Sequence, residues 1–354
     1  MADYDAFVLV SFGGPEGPAD VIPFLENVTR GRGVPPERLA EVAHHYHHFG
    51  GVSPINQQCR DLLAAIEKDF AASGLSLPLY WGNRNWDPYL ADTVAEMAAH
   101  GVRRAIAFVT SAYGSYSSCR QYLDDIENAR AQVGAAAPRI DKIRHFFNHP
   151  GFIGPFTEST LAAIESLPPG ARPGAPLVFT AHSVPESMAA GSGPEGGLYP
   201  AQLAEAARLV AAGVAGGGER SWRLVYQSRS GSPSVPWLGP DVRDHLADLA
   251  AAGAPGAVVV PVGFVCDHLE VLYDLDVEAA RAGQRLGLPV ARAATPGTHP
   301  RFVSMITELV RERAEGEPAR AALGGMAPGP DTCPGGCCRP RPAAHGAGRP
   351  GGSA

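Results

Sequence analysis

The stretch APLVFTAHSVPES at residues 175–187 changes from apolar to polar within a single turn. Its run of Leu, Val and Phe at 177–179 has no polar alternation, which predicts a strand covered on both faces, as in parallel sheets. His182 lies at the carboxyl end of this predicted strand, and Pro185 ends the turn that follows. A histidine in that place is more often structural than catalytic, so its position alone does not assign a function.

Similar apolar runs lie on both sides of this one and alternate with longer amphipathic segments. A strand-then-helix order repeated along most of the chain predicts the α/β class, with doubly wound parallel sheets. The predicted strands cover residues 6–11, 78–82, 104–111, 142–146, 176–181, 223–227, 257–264 and 289–293.

The chain divides into two predicted halves and a tail. Residues 1–150 and 151–320 each have the pattern of a Rossmann-like half, and we expect the active-site cleft between them. Residues 324–354 are rich in Gly, Pro, Ala and Arg, which predicts a flexible tail. That tail carries three of the six cysteines, which flexibility alone does not explain.

Composition limits the classes of function. The 354 residues are 45% hydrophobic and 18% charged with a formal charge of -7, so a broad nucleic-acid-binding surface is not expected. Neither a secretory leader pattern nor a transmembrane-length apolar run is evident, so we predict a cytoplasmic protein without a transmembrane segment. In that compartment the cysteines favour free thiols or a metal site over disulfides.

Polar clusters follow the carboxyl ends of five predicted strands, which is where open α/β sheets bind ligands. Five clusters on one rim predict a ligand-binding cleft, although each alone is a weak signal. The clusters begin at Ser11, Thr110, His182, Gln227 and Cys266. The glycines after the first predicted strand do not form a G-x-G-x-x-G motif, and G-x-x-x-x-G-K-[ST] and the G-x-S-x-G nucleophile motif are absent from the sequence.

Glu270, Asp274 and Glu278 are spaced four residues apart, which places them on one face of a predicted helix. Such a row is ordinarily a solvated acidic face. It is also a row of oxygen ligands that would attract a divalent cation, and His182 nearby would suit Fe²⁺. The histidines of HHYHHFGG at 44–51 cannot all converge on one ion, and we expect one or two to face the cleft.

Six segments together resemble the ferrochelatase family, and the bacterial coproporphyrin III ferrochelatases are the most similar type. The resemblance covers about residues 5–315 in order. The segments are LVSFGGPEGPADVIPFLENV, HYHHFGGVSPIN, TSAYGSYSSCRQYLDDI, FTAHSVPE, VYQSRSGSPSVPWLGPDV and VVVPVGFVCDHLEVLYDLDVE.

The resemblance implies insertion of Fe²⁺, as a substrate, into a porphyrin held between two Rossmann-like halves. His182 in AHSVP and Glu270 in DHLE match the family's metal-facing pair, which we expect across the porphyrin centre. Asp274 and Glu278 match an outer site for a second divalent ion. Ser53 and Tyr122 match positions that contact the porphyrin. Arg30 in the basic loop and Tyr113 after the third predicted strand are further predicted substrate-binding residues.

Two features depart from the family pattern. Some coproporphyrin enzymes carry an axial tyrosine in the first-strand loop, where this chain has Phe12. In the tail, Cys333, Cys337 and Cys338 resemble ligands of a [2Fe–2S] cluster, which normally needs four cysteines. The segment expected to hold the fourth, 149–159, has none, so Cys119 or an oxygen ligand would substitute, or the cluster is absent.

The loop at 29–40 is polar and basic, with Arg30 and Arg32, which favours coproporphyrin III and its four propionates as the substrate. Alternatives are a protoporphyrin IX ferrochelatase, a cobalt or nickel chelatase, and a non-catalytic porphyrin or haem carrier. A chelatase of the cobalt or nickel type would usually have a second histidine where this chain has Glu270. A downstream coproheme-processing enzyme is an expected partner.

Overall fold

The computed structural model describes residues 4–31, 33–216, 220–230, 234–316 and 319–338. Within these residues the chain forms eight strands that alternate with helices. The strands are β1 (Ala6–Ser11), β2 (Leu79–Asn83), β3 (Arg104–Val109), β4 (Arg139–Lys142), β5 (Leu177–His182), β6 (Trp222–Gln227), β7 (Ala257–Val260) and β8 (Val290–Arg292).

The strands form two four-stranded sheets with orders β2-β1-β3-β4 and β6-β5-β7-β8. Every pairing is parallel, so the predicted α/β class is confirmed. The central strands β1 and β5 are buried along almost their whole length, because helices cover both faces of each sheet. All strand carboxyl ends of a parallel sheet lie at one edge, and His182 is the last residue of β5.

Helices connect the strands and include two π-helical segments, at Tyr116–Arg120 and Leu272–Ala279. None of the helices in the described ranges is long and apolar enough to span a bilayer. The α-helices are α1 (Val21–Val28), α2 (Pro36–His48), α3 (Ile55–Ala72), α4 (Leu90–Ala99), α5 (Gln121–Val133), α6 (Pro150–Ser166), α7 (Glu186–Ala190), α8 (Leu198–Ala215), α9 (Val242–Ala251), α10 (Leu269–Val271), α11 (Ala280–Leu286) and α12 (Pro300–Glu315).

One predicted strand was misplaced. The sequence predicted a strand at 142–146, whereas β4 runs from Arg139 to Lys142. This edge strand is short and mostly polar, and the apolar residues that suggested a strand follow it as buried irregular chain. Arg144 and His145 therefore lie just beyond the carboxyl end of β4, not inside it.

The two sheets share one continuous hydrophobic core. Phe108 of β3 stacks on Phe146 with ring centroids 5.0 Å apart, and Phe146 contacts Phe152 of α6 at 5.5 Å and Phe302 of α12 at 6.1 Å. The last helix, α12, packs on both α3 and α6. Aromatic residues from both predicted halves thus interlock between the sheets.

The described part of the tail, residues 319–338, packs along the body of the protein. Arg144 donates to the Ala321 carbonyl at 3.0 Å, and Asn148 donates to the Met326 carbonyl at 2.8 Å. At its end, Cys338 is 3% exposed and its Sγ accepts a hydrogen bond from Gly193 N at 3.0 Å. Residues 339–354 lie outside the described ranges.

Candidate active site

One ring nitrogen of His182 is hydrogen-bonded to the backbone, and the other faces away from that contact. Its Nδ1 lies 2.5 Å from the carbonyl oxygen of Ser183, which can only accept, so Nδ1 carries the hydrogen. In the neutral ring Nε2 therefore holds the lone pair. The backbone is held as well, because Tyr199 donates its hydroxyl hydrogen to the His182 carbonyl at 2.9 Å.

Glu270 belongs to α10 and lies beside this free nitrogen. Its Oε2 is 3.7 Å from His182 Nε2, and the two side chains are 45% and 35% exposed, so both are open to the cleft. The expectation that this pair lies across the porphyrin centre stays a prediction.

Asp274 lies behind Glu270 on the π-helical segment and is largely buried. It accepts a short hydrogen bond from the Ser228 hydroxyl and a longer one, at 3.4 Å, from Gln227 Nε2. Burial raises the pKa of Asp274 to about 7, against the opposing effect of the Ser228 hydrogen bond. This carboxyl group can therefore change protonation near neutral pH.

Glu278 is the outermost member of the acidic row, and its Oε2 lies 3.1 Å from Nη1 of Arg243. That guanidinium also contacts Asp241, at 3.0 Å from Nε to Oδ1. The row thus consists of an open carboxylate, a buried carboxyl and a paired carboxylate. This order suits the passage of protons away from His182, since the middle member holds a proton most readily.

An apolar wall lies at the carboxyl end of β1. Phe12 contacts Phe24 at a centroid distance of 6.3 Å, and Phe24 contacts Trp86 at 6.1 Å. Tyr46 of α2 and Leu269, the neighbour of Glu270, belong to the same hydrophobic cluster. Most of this cluster is buried, Phe12 and Trp86 are among its partly exposed members, and Phe12 supplies no atom that can ligate iron.

The predicted substrate-binding residues have different environments. Ser53 is 4% exposed and packs against the backbone of Gly14, where an added Cβ would lie 2.7 Å from the serine Cβ. Tyr122 is buried under Arg84, and burial raises its pKa to about 12. Arg30 is exposed and lines a polar pocket of about 460 Å³. The second arginine of that loop, Arg32, lies outside the described residues.

Tyr113 departs from its predicted role. It is 2% exposed, and its hydroxyl donates to the Val262 carbonyl at 2.6 Å, across the two halves. A phenol has one hydrogen to donate, so Tyr113 has none left for a propionate. These contacts place Tyr113 at the interface between the two halves.

Arg84 is a cleft residue that the sequence reasoning missed. It follows β2, lies 5.6 Å from the Phe12 ring centroid and 5.1 Å from that of Tyr122, and its Nε is 3.0 Å from Oδ2 of Asp125. It lines the same pocket as Arg30. The two arginines give this pocket guanidinium donors for carboxylates, and Asp92 and Asp125 also line it.

Two of the four histidines in the 44–51 segment meet the second half of the chain. His45 stacks on Tyr273 with ring centroids 3.7 Å apart, and His48 contacts the same ring edge-on at 6.3 Å. Burial lowers the pKa of His45. Tyr273 is part of the π-helical segment, so α2 contacts the acidic row from the outside.

A second group of reactive side chains lies at the tail. One ligand atom each from Cys119, His145 and Cys333 lie within 4.8 Å of one another, the only such metal-ligating group among the described residues. Cys337 and Cys338 follow, with their Sγ atoms 3.6 Å apart. Burial, followed by the neighbouring Cys338, raises the pKa of Cys337 to about 11, whereas the hydrogen bond with Cys119 lowers the pKa of Cys333.

The comparison with known proteins agrees with the resemblance. The family model described as ferrochelatase matches residues 4–314. A coproporphyrin III ferrochelatase of Streptomyces griseus is 54% identical, over 99% of this chain and 98% of that relative. Another from Nocardia farcinica is 55% identical, over 97% and 99%. A ferrochelatase of Rhodopirellula baltica is 52% identical, over 96% and 94%.

Among solved structures, SirB from Bacillus subtilis with Fe³⁺ is similar at a TM-score of 0.54 and 12% identity, over 89% of this chain and 98% of that one. A SirB structure from Bacillus subtilis subspecies spizizenii with cobalt gives a TM-score of 0.51 at 11% identity. At such identities the likeness concerns the fold alone. The sequence matches extend along nearly the whole chain, and this chain therefore belongs to the ferrochelatase family.

Proposed function

We propose that this protein inserts Fe²⁺ into coproporphyrin III to give coproheme. The observation that carries the proposal is the pair of His182 Nε2 and Glu270 Oε2, 3.7 Å apart and open to the cleft beside an apolar wall. Several relatives with more than half of their residues identical bear the name coproporphyrin III ferrochelatase.

The reaction removes two pyrrole protons as one Fe²⁺ enters the macrocycle. His182 is suited to accept a pyrrole proton, because Nδ1–H is held by the Ser183 carbonyl and Nε2 offers its lone pair. Glu270 supplies a negative oxygen beside that nitrogen, which stabilises the imidazolium that forms. The same oxygen is a suitable ligand for the incoming iron.

Protons then leave along the acidic row. Asp274 is the natural next acceptor, because its raised pKa of about 7 lets it bind and release a proton near neutral pH. Glu278 and Arg243 lie at the outer end, where the proton passes to solvent. An outer divalent ion on Asp274 and Glu278 stays a prediction, and the Arg243 contact would oppose it.

Coproporphyrin III is favoured over protoporphyrin IX by the guanidinium donors of Arg30 and Arg84. The substrate has four propionates, twice as many as protoporphyrin IX, and Arg30 and Arg84 line one polar pocket. Guanidinium groups bind carboxylates with paired hydrogen bonds. Ser53 and Tyr122 stay predicted substrate contacts. The cytoplasmic location and a downstream coproheme-processing partner also stay predictions.

The test is anaerobic incubation of the purified protein with Fe²⁺ and either porphyrin, followed by the Soret and Q bands. We expect kcat/KM to be at least about tenfold higher for coproporphyrin III, which corresponds to about 1.4 kcal/mol. Equal or faster metallation of protoporphyrin IX would refute the substrate assignment. Tight pigment binding without metallation of either porphyrin would identify a carrier.

We also propose a [2Fe–2S] cluster held by Cys119, Cys333, Cys337 and Cys338. The support is the position of Cys119 beside Cys333, which supplies the fourth thiol that the sequence left open. When bound, such a cluster supplies a one-electron redox centre. Visible spectra and iron and sulfide analysis of anaerobically purified protein test it, and a colourless, sulfide-free protein would refute it.

A further inference from the structure

The imidazole of His145 is buried in the cysteine pocket without a hydrogen bond among the described residues. Its exposed fraction is 4%, and neither Nδ1 nor Nε2 has a partner there. A buried polar group left unpaired costs about 1–3 kcal/mol, so such groups are uncommon unless an ion or ligand completes them. The nearest groups that could satisfy the ring are the sulfur atoms of Cys119 and Cys333, which lie within 4.8 Å of it.

The ring is also fixed in place by two glycines. A Cβ at Gly114 would lie 2.9 Å from Cε1 of His145, and one at Gly329 would lie 3.0 Å from the histidine Cβ. Gly114 belongs to the loop after β3, and Gly329 belongs to the packed tail. Both segments close on the imidazole, so its direction relative to the cysteines is set by the fold.

The four sulfurs form two pairs. The Sγ atoms of Cys119 and Cys333 and one ring nitrogen of His145 all lie within 4.8 Å of one another. The Sγ atoms of Cys337 and Cys338 are 3.6 Å apart. Two thiolates for each iron complete the ligands of a two-iron cluster. His145 is then not needed as a ligand and remains next to the first pair with an N–H to donate.

We propose that His145 donates a ring N–H to the Cys119–Cys333 thiolate pair and thereby raises the reduction potential of the cluster. The inference rests on the cluster proposed above. Reduction adds negative charge that spreads onto the thiolates, and a hydrogen-bond donor at sulfur stabilises that charge. The same hydrogen bond satisfies the buried imidazole. His145 is a positioning residue in this proposal, not a ligand.

The test compares the full-length protein with His145→Leu and His145→Asn, purified anaerobically with the cluster in place. His245→Leu is the matched control, because His245 is also buried, at 7% exposed, and its Nδ1 also lacks a partner, but it lies on α9. The one-electron midpoint potential is measured by dithionite titration followed by electron paramagnetic resonance. We expect a shift to more negative potential in His145→Leu, a smaller shift in His145→Asn, and none in the control.

Two results would overturn the proposal. An unchanged potential in His145→Leu would show that the imidazole does not act on the thiolates. A directly coordinated nitrogen-14 signal in the unmodified protein, lost in His145→Leu, would make His145 a ligand instead. Failure of the cluster itself is recognised separately, because the unmodified protein would then be colourless and free of sulfide. If His145→Leu does not fold, the midpoint potential of His145→Asn is compared with that of the unmodified protein, and a smaller negative shift is expected.

Discussion

Nε2 of His182 and Oε2 of Glu270 lie 3.7 Å apart, and both side chains are partly exposed. The Ser183 carbonyl fixes the histidine tautomer, so the lone pair and the carboxylate address the same point. A proton acceptor and a metal ligand are thus side by side. Their roles can be separated by substitution, because each side chain can be replaced without the other.

Replacing His182 with alanine is expected to lower kcat for iron insertion by about 10²–10⁴-fold, the usual contribution of a general base. Binding of coproporphyrin III should change little, because the apolar wall is intact. Anaerobic stopped-flow spectra give kcat, and porphyrin fluorescence gives binding. His44→Ala is the control, since His44 is exposed on α2. Full activity in His182→Ala would exclude histidine from the proton step.

Asp274→Asn should change the pH dependence of stability. The pKa of Asp274 is about 7 in the folded protein and near 3.8 when unfolded. Between these values the folded chain binds the extra proton, so stability falls as pH rises from about 4 to about 7, by at most about 1.4 kcal/mol per pH unit. The asparagine variant lacks this contribution. Urea denaturation across this range measures it, and identical slopes for both proteins would contradict the prediction.

Arg84→Met is expected to raise KM for coproporphyrin III and to destabilise the fold by roughly 3–5 kcal/mol, because it leaves the Asp125 carboxylate unpaired. The double variant Arg84→Met with Asp125→Asn separates the two effects. It should regain much of the stability and none of the substrate affinity. Recovery of KM in the double variant would mean that Arg84 acts on the substrate only through the fold.

Glu312→Gln tests how the tail is held. Arg144 donates to both carboxylate oxygens of Glu312, at 2.6 and 2.9 Å, and also to the tail carbonyl of Ala321. The pair is buried, so its loss should lower the free energy of unfolding by roughly 3–5 kcal/mol and speed modification of Cys333 by thiol reagents. Glu127→Gln, which breaks an exposed pair with Arg130, is the control and should cost under about 1 kcal/mol. Unchanged thiol reactivity would contradict the prediction.

The architecture was predictable from the sequence because apolar strands and amphipathic helices alternate, and the central strands are buried on both faces. His182 could be found because it ends an apolar strand. Glu270 could be found because acidic residues spaced by four follow it. These signals are local, and they depend only on periodicity and on the rule that ligands bind at strand carboxyl ends.

His145 and Arg84 obey the same rule and were still missed. The predicted strand at 142–146 included His145, so the histidine was not recognised as a residue that follows a strand. In the structure β4 ends at Lys142, and His145 lies beyond it. Arg84 follows β2, an edge strand whose apolar pattern is weak because only its last two residues are buried. The burial of Tyr113 and the contact of Cys119 with Cys333 depend on packing between distant segments, which no local pattern reports.

The continuous core between the sheets has a mechanical consequence. Two domains that swing apart around a ligand need an interface that can open, whereas here Phe108, Phe146 and Phe302 interlock across it. Opening would expose these rings to water, so the two halves should behave as one rigid body during turnover. Entry of the macrocycle and release of the product then depend on small movements of the rim, such as the π-helical Leu272–Ala279 segment and the loop around Phe12. The porphyrin site is therefore preorganised by the core between the two sheets.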